Sequence, residues 1–246
     1  MSPLAVGAVT LSQLTVASVM TAAGSFVQAG IGFGSLLLAA PLLVLVDPRF
    51  VPGPVLVPGL ALALLMAWRD RGGIQLGEVA WAFAGRVPGS VVGALILASL
   101  STGAFEVLVG ATVVLGALLS VAGLRVRPTP RVLLGAGFVA GITGTTTSIG
   151  GPPLALVYQH HGGEALRGTL AGLFVMGSML SMTTLALVGR FGASDLLLGM
   201  ALIPGTVAGY VLSPPFVRWL DRGYTRAAVL GVSIGAGLLL ILRRLA

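Results

Sequence analysis

Long apolar runs separated by short polar loops make up most of this chain. The runs predict about eight hydrophobic segments, at residues 4–46, 51–68, 79–100, 105–123, 132–158, 170–188, 196–212 and 227–242. They are long enough to cross about 30 Å of hydrocarbon as helices, at ~20 residues each, and none shows the alternation of barrel strands. The pattern predicts an all-α polytopic membrane protein, with residues 1–246 forming a single transmembrane domain.

Composition supports the same compartment. Hydrophobic residues make up 56% of the chain and charged residues 9%, with a mean hydropathy of +1.04. So few polar side chains could not cover a soluble globule of this size. The net charge of +7 comes from arginines between the apolar runs, which indicates an anionic lipid surface and not nucleic acid. The first 40 residues carry no Lys or Arg, so we expect no cleavable signal peptide.

The two halves of the chain resemble each other. The heptapeptide VPGSVVG at 87–93 recurs 116 positions later, at 203–209, as IPGTVAG. The stretch GIGFGSL at 30–36 aligns with SIGGPPL at 148–154, an offset of 118. We therefore predict two repeats, of residues 1–124 and 131–246, joined by a charged, proline-containing linker.

The first segment of each half is interrupted by glycines, and the topology depends on how these interruptions are drawn. If each interrupted segment is a re-entrant hairpin, each half crosses three times and the halves are inverted. If each crosses once, each half crosses four times and the halves are parallel. The hairpin arrangement places nine arginines on one face and four on the other, whereas single crossings give eight and five. The positive-inside rule therefore favours inverted repeats with a Gly-rich broken or re-entrant first segment in each half.

The second interruption, GITGTTTSIGGPP at 141–153, carries the main candidate chemistry. Pro152 and Pro153 suit the first turn of a half-helix, whose unpaired N–H groups and partial positive charge attract anions. Two such half-helix ends near the midplane would form one small anion-binding cavity. The predicted binding residues at the two interruptions are Gln28, Gly30, Gly32, Gly34, Ser35, Thr145, Thr146, Thr147, Ser148, Gly150 and Gly151. The alternative is that these glycines serve only close helix packing.

Three further residues are functional candidates. Arg86 lies inside an apolar segment, where it either contacts the anion or extends to the membrane interface. His160 and His161 follow the second interruption and could couple transport to protons, although adjacent histidines at a helix end are also ordinary loop residues.

Two related halves, each with an interrupted hydrophobic segment, are the sequence signature of a secondary transporter. The chain has no Cys and no His-Glu-x-x-His, nucleophile-elbow or paired-carboxylate pattern, so we expect no enzyme, no metal site and no cofactor. A transporter of another small anion, such as a carboxylate, and a membrane scaffold subunit remain as alternatives.

The order of the motifs resembles a known family. GIGFG at 30–34, RDRGGI at 69–74, PG with a following Gly at 88–93, and GGPP at 150–153 are similar to the TauE/SafE (TSUP) family of sulfite and sulfonate exporters. The resemblance implies transport of sulfite, thiosulfate or sulfonates such as taurine or sulfoacetate. We expect a multi-pass protein of the cell membrane, the inner membrane of a prokaryote, with membrane lipid and a co-transported H⁺ or Na⁺ as partners.

Overall fold

The fold consists of helices throughout the part of the chain that a computed structural model describes, residues 9–121, 126–158, 163–214 and 224–245. Ten α-helices and no β-strand are found in those ranges. In chain order they are α1 (Leu11–Ile31), α2 (Ser35–Val46), α3 (Gly53–Arg69), α4 (Leu76–Ser99), α5 (Thr102–Val121), α6 (Pro130–Thr147), α7 (Gly151–Tyr158), α8 (Gly163–Leu187), α9 (Ala193–Leu212) and α10 (Tyr224–Leu245). The all-α prediction is confirmed.

Five of these described helices are long and apolar enough to cross a membrane: α1, α4, α5, α8 and α9. The apolar helices α2 and α3 are shorter. Eight spanning segments are therefore not confirmed, because the runs at 4–46 and 132–158 each divide into two helices and the criterion of length and hydropathy admits only five.

Each half begins with a helix that breaks and restarts. In the first break Gly32 ends α1 at φ +102° and Gly34 precedes α2 at φ +106°. In the second break Ser148 ends α6 at φ +64°, a left-handed conformation that is uncommon for a residue with a Cβ. Gly32 and Ser148 are 116 positions apart, which is also the offset of the proline motifs in α4 and α9. The predicted alignment of Gly32 with Gly150 is thus shifted by two residues.

Helix pairs from the two halves pack through glycines. A Cβ added to Gly85, Gly89 or Gly93 of α4 would overlap the backbone of Leu134, Phe138 or Ile142 of α6. Gly205 and Gly209 of α9 lie in the same way against Ser18 and Ala22 of α1. Residue numbers rise together in both pairs, so α4 runs parallel to α6 and α9 runs parallel to α1.

The two ends of the helix bundle differ. At one end the loops at 48–53, 97–105 and 189–195, together with Val9, line a cavity of about 720 Å³, here called the vestibule. At the other end Arg69, Asp70 and Arg167 form an ion cluster. Val9 and Arg49 both line the vestibule, so the start of α1 and the end of α2 lie at one end of the bundle.

Candidate functional site

A small cavity of about 50 Å³ lies between the two breaks. Helices α1 to α4 and α6 to α8 or their breaks contribute to its wall. The lining residues are Gln28, Gly34, Ser35, Leu36, Leu37, Leu56, Gly59, Arg86, Gly144, Ser148, Ile149, Gly150, Gly151, Pro152, Phe174 and Ser178. Because a water molecule needs about 10–15 Å³ measured in this way, the cavity has room for a few water-sized atoms.

Arg86 supplies the charge of this cavity. Its side chain extends from α4 and the residue is 4% exposed, so the guanidinium lies within the protein and does not extend to a membrane surface. Its Nε and Nη1 atoms are buried and have no hydrogen-bond partner among the described residues. The lining that the structure describes contains no carboxylate. A buried cation without a partner is costly, so this geometry is typical of a site that is completed by an anion.

The other polar groups of the cavity are neutral. Gln28 Oε1 accepts a hydrogen bond of 3.1 Å from the Ser35 N–H, which holds the first break closed against α1. Ser148 Oγ donates at 3.0 Å to the carbonyl of Pro52, in the wall of the vestibule. The second break leads into the N-terminus of α7, with Gly151 and Pro152 in its first turn. The free N–H groups and dipole of a helix start add positive potential to the cavity.

The structure brings together seven of the twelve residues that the sequence predicted for binding: Gln28, Gly34, Ser35, Arg86, Ser148, Gly150 and Gly151. The other five, Gly30, Gly32, Thr145, Thr146 and Thr147, lie outside the cavity lining. His160 and His161 lie outside the described residues.

The threonine hydroxyls have partners elsewhere. Thr145 Oγ1 lies 2.9 Å from Ser181 Oγ. Thr146 and Thr147 donate at 2.8 Å to the carbonyls of Ile142 and Thr143 in their own helix. A hydroxyl in a helix commonly bonds in this way to the preceding turn. Of the four consecutive hydroxyl residues, only Ser148, beyond the last helical residue, reaches the cavity.

Sequence reasoning missed several lining residues, among them Gly144, Phe174 and Ser178. Phe174 and Ser178 belong to α8, an apolar segment without an interruption. Nothing in its pattern distinguishes a cavity-lining serine from one that bonds to its own helix.

Comparison with known proteins identifies the family. Residues 16–240 match the family described as Sulfite exporter TauE/SafE. This match covers most of the chain. The chain belongs to the TauE/SafE family. The predicted resemblance is confirmed, and the chain is a multi-pass membrane transport protein. No curated protein and no solved structure matches.

In this TauE/SafE protein an ion cluster lies next to the first break. Asp70 Oδ2 accepts from Arg69 Nη2 at 2.7 Å and from Arg167 Nε at 3.3 Å, which joins the two halves of the chain. Arg69 Nη2 also donates at 2.9 Å to the carbonyl of Ala29, in the last turn of α1. A Cβ on Gly32 would lie 3.1 Å from the Arg167 side chain. Gly32 therefore belongs to this cluster and not to the cavity.

The vestibule carries its own ion pair. Arg49 Nη2 lies 2.6 Å from Asp47 Oδ2. The hydrogen bonds that Arg49 donates to the Asp47 carboxylate hold the pKa of Asp47 below its usual 3.8, although partial burial of the carboxylate opposes this shift. Arg190 donates at 2.9 Å to the carbonyl of Ala98. No group of three or more metal-ligating side chains occurs in the ranges that the structure describes.

Proposed function

We propose that this TauE/SafE protein is a secondary transporter of small sulfur-containing anions, and that the anion binds to Arg86 in the cavity between the breaks. The observation that carries the proposal is the buried Arg86 guanidinium, whose Nε and Nη1 have no hydrogen-bond partner within the described ranges of the chain. A guanidinium matches the oxygens of sulfite or a sulfonate, since it presents several N–H donors in a planar fork. The Ser35 hydroxyl and the N–H groups at the start of α7 supply neutral donors around it.

The size and charge of the cavity favour the smaller substrates of the family. About 50 Å³ accommodates a sulfur atom and three oxygens, as in sulfite, or the slightly larger thiosulfate. Taurine is longer and carries an ammonium group, and no carboxylate in the described lining would pair with it. Sulfoacetate brings a second anionic group to a single arginine. We therefore expect sulfite and thiosulfate to bind more tightly than sulfoacetate, and sulfoacetate more tightly than taurine.

We further propose that the two halves are inverted repeats. In the first half, the start of α1 and the end of α2 both lie at the vestibule. In the second half, α8 follows the broken pair α6 and α7, and it begins beside Gly72 and Gly73 near the ion cluster. Helix pairs α1–α9 and α4–α6 correspond when the halves are exchanged, and each pair packs in parallel through glycines. This arrangement supports alternating access, because one end of the cavity faces the vestibule and the other faces the ion cluster.

Binding is tested by the thermal stability of the purified full chain in detergent with sulfite, thiosulfate, sulfoacetate, taurine and acetate. We expect sulfite and thiosulfate to raise the unfolding temperature, since a ligand at a hundred times its Kd stabilises by about 2.7 kcal/mol. Efflux or uptake of the best ligand in proteoliposomes then tests transport. A response to acetate alone would indicate a carboxylate transporter. No response to any anion would contradict the proposal and favour the scaffold alternative.

The inverted topology predicts the side from which introduced cysteines react. The chain has no native Cys, so Arg127→Cys, Glu164→Cys and Arg49→Cys each provide one reactive thiol, and all three positions are at least partly exposed. We expect the first two to be labelled by an impermeant maleimide from the cytoplasmic side and the third from the opposite side. Labelling of positions 127 and 164 from opposite sides would contradict the hairpin arrangement.

A further inference from the structure

The guanidinium of Arg86 lies against three glycines, which have no side chain that could occupy its place. A Cβ added to Gly177 of α8 would overlap Cζ, Nε and Nη2 of Arg86. A Cβ on Gly144 of α6 would lie 2.8 Å from Nη2, and one on Gly150 of the second break would lie 3.3 Å from the same atom. These three glycines, here called the glycine cradle, leave a space into which the planar group fits.

The glycine cradle positions the guanidinium by its shape, whereas in most proteins a carboxylate positions a buried arginine. A buried arginine is usually fixed by ion pairs and hydrogen bonds, which also neutralise its charge. Here Nε and Nη1 have no such partner among the described residues. The guanidinium instead packs against the glycines of α6, the second break and α8, and this contact does not neutralise its charge.

We infer that Gly177 is a positioning residue for substrate, because it keeps the Arg86 guanidinium in the cavity without neutralising it. This inference rests on the proposed function, in which Arg86 binds the anion. Gly177 is not itself among the residues that line the cavity, so it acts on the anion through Arg86. Its role is to exclude any side chain from the place that the guanidinium occupies.

The test compares two glycines of the same helix. In Gly177→Ala the new methyl group displaces the guanidinium, so we expect the affinity for sulfite to fall by about tenfold or more, the loss of a charged hydrogen bond. Gly172→Ala is the matched control, since a Cβ there would lie 3.7 Å from Ile74, an ordinary contact. We expect Gly172→Ala to bind sulfite like the wild type. An unchanged sulfite response in Gly177→Ala would overturn the inference.

A second measurement separates positioning of Arg86 from simple helix packing. We expect Gly177→Ala to lower the unfolding temperature of the anion-free wild type but to have little effect in the Arg86→Met background, where no guanidinium occupies the cradle. Equal destabilisation in both backgrounds would show that Gly177 serves packing alone, and would overturn the inference. If Gly177→Ala does not fold, recovery of folding in the double variant supports the inference, and continued failure contradicts it. Because this comparison needs no ligand, it remains decisive even if the wild type binds no anion and the proposed function fails.

Discussion

Arg86→Met is expected to make the anion-free protein more stable and, at the same time, unresponsive to sulfite. Arg86 is a buried charge whose Nε and Nη1 have no partner in the described part of the chain. Replacing a buried ion pair by apolar residues of similar volume is often stabilising, by about 1–4 kcal/mol, and a buried charge without a partner is costlier still. For a chain of this size, that corresponds to roughly 2–4 °C in unfolding temperature for each kcal/mol.

The opposite signs of the two effects make this experiment informative. Removal of a residue that is retained for stability should destabilise the protein. Removal of a residue that is retained for binding should instead stabilise the anion-free protein and abolish its affinity for the anion. The unfolding temperature with and without saturating sulfite measures both effects in one titration. Arg190→Met is the matched control, because Arg190 is an exposed arginine at the vestibule, and we expect its sulfite response to match the wild type. Destabilisation of Arg86→Met with a normal sulfite response would remove Arg86 from the site.

The sequence predicted the class of fold because membrane helices leave a strong signal. Apolar runs of about 20 residues follow from the thickness of the bilayer. The interruptions were also visible, since Gly32, Gly34 and Pro152 are residues that favour helix ends. The alignment of the breaks was less accurate. Ser148 ends its helix in a left-handed conformation that the pattern gave no reason to assign to a serine, and the second break therefore begins two residues before Gly150.

The residues of the candidate site were only partly predictable, because glycine has several roles that look alike in sequence. Gly89 and Gly205 allow close helix packing, Gly32 ends a helix beside Arg167, and Gly177 accommodates a guanidinium. The packing interpretation thus applies to some of the glycines, whereas Gly34, Gly150 and Gly151 line the cavity between the breaks. Charge was a better guide, since a buried arginine in an apolar segment is costly and Arg86 lies in the cavity wall. The threonines at 145–147 lie outside the cavity lining, since the hydroxyls of Thr146 and Thr147 donate to carbonyls of the preceding turn and that of Thr145 pairs with Ser181.

The two ends of the cavity differ in what would have to move for the anion to leave. Towards the vestibule, the hydrogen bond from Ser148 to Pro52 separates the two cavities. Towards the other end, Asp70 is 4% exposed and connects Arg69 and Arg167, and so connects α3 to α8 across the two halves. Arg69 also holds the last turn of α1 through the carbonyl of Ala29. The ion cluster is therefore positioned to keep the first break closed on this side.

Asp70→Asn should open the cavity towards the ion-cluster end, which the arginine distribution predicts to be the cytoplasmic end. Loss of the carboxylate charge leaves two arginines facing each other, and even a discounted effect of about 1.4 kcal/mol changes the ratio of open to closed forms tenfold. Ser35→Cys, in a chain without native Cys, places a reporter thiol in the cavity wall. We expect an anionic thiol reagent to modify it about ten times faster from the cytoplasmic side in Asp70→Asn, with little change from the other side.

Asp47→Asn is the control, because it removes a carboxylate paired with arginine at the vestibule and leaves the ion cluster intact. An equal increase from both sides would indicate general loosening of the bundle, and an unchanged rate would show that the cluster does not close the cavity.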